Sequence, residues 1–155
     1  MSSVKVFKTF YMQKSITLLF LIIAACVTMQ AQEKGTTKIM VSGVTFREVT
    51  NQLLDFGYSF DKIDSNYQTV KTEYKTFKSK GVDMDICFFV RLKDSTAIIS
   101  GKWVPTALIG SKLLGAEITR DNSTYDIDNK MGSKAQFAEM TRFAKSFGKE
   151  VTYSK

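Results

Sequence analysis

Between Asp83 and Leu92 the chain alternates strictly. Met84, Ile86, Phe88, Val90 and Leu92 share one parity, and Asp85, Cys87, Phe89 and Arg91 take the other. A period of two is the side-chain repeat of a β-strand with unlike faces. Asp94-Ser95 is a tight connection, and Thr96 to Val104 returns as the partner strand. Upstream, Tyr67 to Phe77 alternates as one strand, with Val70, Thr72 and Tyr74 on one side, and Ser79-Lys80-Gly81 turns the chain. Shorter strands are expected at Thr36–Val41 and Tyr58–Ile63, with a turn at Asp64-Ser65-Asn66. Such runs joined by short turns predict an antiparallel sheet with one buried face.

Two segments carry a helical period instead. Phe46, Val49, Leu53 and Phe56 recur on one helical face after Thr45, and Glu48 completes a capping-box pattern with Thr45. Gly57 stands at the expected C-terminal position. The second helix runs from Ser133, its expected N-cap, to Phe147, with Phe137, Met140, Ala144 and Phe147 on one face. Between Pro105 and this helix, residues 106–132 read as irregular.

Each helix has one apolar stripe and the sheet one apolar face. The expected fold is therefore α+β in two layers: an antiparallel sheet of about 4–6 strands with two helices packed on one face. The order β-α-β-β-β-β-α resembles the TBP-like or helix-grip arrangement. That resemblance is topological and carries no functional motif.

The N-terminus follows another rule. Lys5, Lys8 and Lys14 form a basic leader without an acidic residue, followed by an apolar run from Ile16 to Val27 and a small residue, Ala31, before Gln32. These are the three parts of a secretory signal peptide, and the run is shorter than the roughly 20 residues of a membrane span. The expected division is a signal peptide over 1–31 and a single α+β domain over 32–155. Alternatively, Ile23-Ala24-Ala25-Cys26 resembles the lipobox of bacterial lipoproteins. That resemblance implies a leader over 1–25 and a lipid on Cys26. The Ala31-Gln32 exit is similar to that of exported proteins from Bacteroidetes-type bacteria, a likeness confined to the leader. The expected location is thus the periplasm or cell envelope, with lipid anchoring or secretion as alternatives.

Export changes how composition is read. Removing 31 of 155 residues leaves 124, enough for one core. All 15 acidic residues stay, and three of 22 basic residues leave, so the remainder carries 19 basic residues and a net charge of +4. That balance serves solubility. Lys71, Lys75, Lys78 and Lys80 read as the solvated side of a strand and its turn. No nucleic acid is expected as a partner, and no membrane contact except through the leader or a lipid on Cys26. The chain has no His, which removes the commonest general base and transition-metal ligand, and Ser-His-Asp and Cys-His catalysis with them. Past the leader only Cys87 remains, so no internal disulfide forms. It is expected to be partly covered by its neighbours. Neither a cofactor nor a metal is expected.

Three further features carry candidate chemistry. Residues 103–118 read WVPTALIGSKLLGAEI, an apolar stretch where a polar loop belongs. It closes the core, or it offers Trp103, Leu108, Ile109, Leu113 and Leu114 as a binding surface for a protein or an apolar small molecule. Asp121, Asp126 and Asp128 lack the ligand order of an EF-hand loop and read as a solvated turn. Asp94-Ser95-Thr96 is similar to a short bacterial O-glycosylation motif, although turn chemistry accounts for it. The function expected is a small, exported, non-catalytic binding module. The alternative is a hydrolase of an envelope or extracellular polymer that uses paired carboxylates.

Overall fold

The computed structural model describes residues 35–155, apart from 111, 114–115, 118, 120–123 and 131. The leader and Cys26 lie outside the described residues. Strand β1 (Lys38–Ser42) leads into helix α1 (Phe46–Asp55), followed by β2 (Phe60–Asp64), β3 (Thr69–Thr72), β4 (Lys75–Ser79), β5 (Val82–Lys93) and β6 (Thr96–Pro105). A 3₁₀ turn (Thr106–Leu108) precedes β7 (Lys112–Leu113), β8 (Ala116–Glu117) and β9 (Tyr125–Asp126). Helix α2 (Lys134–Lys145) and β10 (Val151–Ser154) end the chain. The fold is α+β, as expected, with an antiparallel sheet of eight strands among the described residues. Its order is β10-β1-β6-β5-β3-β2, while β4 pairs with β5 and β9 with β6. Strands β7 and β8 form a separate small hairpin.

The β5–β6 hairpin is the backbone of this sheet. Asp94 and Ser95 both hold positive φ, +50° and +57°, the conformation of a two-residue primed turn whose twist suits a hairpin. The pairing runs from Lys93↔Thr96 to Met84↔Pro105. It places Ile86, Phe88 and Val90 on the same side as Ile99, Gly101 and Trp103. Both helices pack on that side. Val49 and Leu53 of α1 and Phe137, Met140, Phe143 and Ala144 of α2 share one buried cluster with Ile39, Ile86, Phe88, Val90 and Ile99. Phe88 sits at its centre, 4.8 Å from the Tyr58 ring and 5.6 Å from that of Phe143.

Helix α1 begins as its sequence dictates. The Glu48 N–H donates to the Thr45 hydroxyl, and the Glu48 carboxylate accepts from the Thr45 N–H. That backbone bond, with help from Lys149, holds the Glu48 carboxyl below its usual range. Past the helix, Gly57 takes φ +74°, the left-handed conformation that ends helices at little cost to glycine.

Several expectations need correcting. The run Tyr67–Phe77 is two strands. Lys71 pairs with Phe89 but Lys75 with Ile86, so four steps on one strand meet three on the other. The extra residue inverts the alternation. Val70 and Thr72 face the helices before the slip, and Phe77 packs against the core after it. The stretch 106–132 contains β7, β8 and β9, and Ile127 beside β9 is fully buried. Strand β10 was not expected. It covers the edge of β1, with Val151 and Tyr153 against the core. Ser133 precedes α2 but makes no side-chain cap; its hydroxyl bonds Asp128 instead.

Candidate binding face

The side of the sheet away from the helices is built from the other parity. Cross-strand pairing puts Ser100, Phe89, Lys71 and Lys62 in one row across β6, β5, β3 and β2. The next row contains Met40, Ile98, Arg91 and Thr69. On the opposite flank Asp126, Lys102 and Cys87 lie side by side. Two adjoining recesses open on this face, of about 560 Å³ and 470 Å³, and both are lined by Lys38, Phe89 and Ser100. The first adds Lys62, Lys71 and Arg91; the second adds Lys102 and Asp126. Phe89 is half-buried, and Lys38, Lys62 and Arg91 are exposed.

Charge on this face is one-sided. Lys71 meets Asp61 at 2.5 Å and lies 5.9 Å from the centre of the Phe89 ring. Lys38, Lys62, Arg91 and Lys102 form no ion pair among the described residues. Asp126 is the single carboxylate among the residues lining either recess.

Beyond the Lys102 flank the same face becomes buried. Cys87, Asp85 and Val104 are inaccessible, so the partial cover expected for Cys87 is complete. Burial pushes its thiol above the usual range, against the Tyr74 side chain and the Lys102 backbone, which favour the thiolate. Asp85 accepts from the Thr76 hydroxyl at 2.8 Å and the Thr106 hydroxyl at 3.2 Å. The 3₁₀ turn thereby ties the segment after Pro105 back onto β5.

Of the five residues expected to form an apolar binding surface, the side chains of Trp103, Leu108 and Ile109 are described. Trp103 points to the helix side, its ring 5.3 Å from Tyr125 and its indole N–H buried without a partner among the described residues. Leu108 is 39% exposed, while Ile109 is half-buried. The side chain of Leu113 lies outside the described residues, as does the whole of Leu114. Trp103, Leu108 and Ile109 line neither recess. Asp128 accepts from the Lys130 N–H and pairs with Lys130 Nζ at 2.9 Å. Asp121 lies outside the described residues. Among the described residues no group of His, Cys, Asp or Glu is arranged to hold a metal ion. None of their helices is long and apolar enough to cross a membrane.

The basic face escaped the sequence because its cations come from five strands. Only Arg91 stood on the same strand as Phe89. Lys38, Lys62, Lys71 and Lys102 join it through strand order and register, which a linear pattern does not encode. The available signal was a Lys at an outer position of several neighbouring strands. No protein-family model matches the chain, and neither does any curated protein.

Proposed function

We propose that this chain is a small, exported, non-catalytic binding module of the bacterial envelope or periplasm, and that the open face of the sheet is its working surface. The observation that carries this reading is the set of four cations around Phe89, unpaired among the described residues, on the face that the helices leave uncovered. Like charges gathered at one surface repel one another and reduce stability, and a ligand of opposite charge relieves that repulsion. A carboxylate hydrolase needs an acid and base pair flanking one bond, and Asp126, in the second recess, is the one carboxylate among the described residues lining either recess. Export rests on the leader sequence.

A second reading keeps the apolar segment as the contact surface for a protein or an apolar small molecule, and the exposure of Leu108 favours it. A photo-crosslinking residue placed in turn at Ser100, Leu108 and Ala138 separates the two in producing cells. Adducts at Ser100, with none at Leu108 or at Ala138 on the exposed side of α2, are the expected result. Adducts at Leu108 alone transfer the function to the apolar segment. None at any position contradicts both.

A further inference from the structure

We infer that the open face takes an anionic polysaccharide. The inference rests on that face being the working surface, and it names the ligand class. Neighbouring strands lie about 4.8 Å apart and alternate residues about 6.6 Å apart. Lys38 on β1 and Lys71 on β3 are separated by three strand spacings, roughly 14 Å. Arg91 and Lys102 lie on opposite flanks of the Phe89 row, about 13 Å apart along the strands. Both separations exceed the Debye length of roughly 8 Å at physiological ionic strength, so no single small anion serves both ends of the face. One small anion engages one end of the set. A chain with repeated charges uses all, and each added contact is favoured by the high effective concentration that the first creates.

The ground between the cations is neutral and suits sugar. Ser100 and Thr69 offer hydroxyls, and Phe89 offers one apolar ring. Other polyanions fit less well. Single-stranded nucleic acid is held by successive stacked aromatics, and Phe89 is the sole aromatic among the residues lining the recesses. An anionic bilayer presents a broad surface, whereas these cations surround recesses.

The test is retention of the chain, purified from producing cells, on immobilised polygalacturonate and dextran sulfate. Neutral dextran, a thymidine oligonucleotide and phosphatidylglycerol vesicles serve as comparisons. Both acidic polysaccharides should retain the protein, less so as salt rises, and neutral dextran should not. The double variant Arg91→Glu/Lys102→Glu should bind roughly tenfold more weakly, about what two reversed surface contacts supply. Lys134→Glu/Lys145→Glu makes the same charge change on exposed positions of α2 and should bind like the parent. If the first variant melts early, Lys38→Glu at an exposed position carries the comparison alone. Retention by neither polysaccharide overturns the inference, as does equal weakening in both double variants. Tighter, face-dependent binding of the oligonucleotide or the vesicles overturns the polysaccharide but leaves the working surface in place. Loss of the surface itself is read separately, from crosslinking at Ser100.

Discussion

Gly101 shows how closely the core is fitted. A Cβ there would stand 2.7 Å from Ile127 Cδ1, 3.0 Å from the Cys87 carbonyl oxygen and 3.1 Å from Phe88 Cδ1. Gly101→Ala should therefore destabilise the fold by about 1–3 kcal/mol through overpacking, read as a lower denaturation midpoint. Phe88→Ala empties the ring position between Tyr58 and Phe143 and should cost about 3–5 kcal/mol. Alternation alone puts Asp85 on the solvent side and predicts a small cost for its removal. Its burial and its bonds to Thr76 and Thr106 revise that expectation: Asp85→Ala should cost on the order of 1–3 kcal/mol, by stranding two hydroxyls. A loss below about 0.5 kcal/mol, the scale of ordinary surface substitutions, would contradict this. Asp128 gives a pH signature. Desolvation raises its pKa, but the bonds from Ser133 and Lys130 outweigh it and the net shift is downward. A depressed carboxylate stabilises the fold above its unfolded pKa of about 3.9, and loses that contribution as pH falls through the folded value. Asp128→Asn should thus lower the melting temperature at pH 7 and approach the parent near the acid limit. An equal deficit at both extremes would assign the effect to packing.

At the scale of elements, β10 closes an edge that would otherwise be open. Without it, β1 loses its pairing from Lys38↔Ser154 to Val41↔Val151, and Tyr153 leaves the Phe137 ring. Deleting residues 150–155 should cost on the order of 2–4 kcal/mol, or about 10 °C in melting temperature, and increase aggregation at the exposed edge. An unchanged melt would show that β10 is dispensable. The same strand marks the limit of the sequence pattern. Helix α1 and the β5–β6 hairpin were legible because each repeats a period over ten or more residues and carries its own cap or turn. A four-residue strand after a glycine presents too few repeats, and two-residue β9 presents none. The break between β3 and β4 was hidden for another reason: a one-residue slip exists only relative to a partner strand. The apolar stretch after Trp103 was visible as composition, but its arrangement depends on ties such as Thr106 to Asp85.

For the whole molecule, the division of labour between the two sheet faces is the main result. One face is covered by α1 and α2 and contains the core. The other combines a buried end, around Cys87 and Asp85, with an open basic region around Phe89. A modest net charge of +4 past the expected leader conceals this, because Asp and Glu are distributed elsewhere. Amide chemical-shift mapping with polygalacturonate tests the assignment of function most directly. Shifts should saturate at Lys38, Lys71, Phe89, Arg91, Ser100 and Lys102 and shrink with added salt, while α2 and Leu108 stay unmoved. Shifts confined to Leu108, Ile109 and their neighbours, or spread evenly over both faces of the sheet, would contradict it.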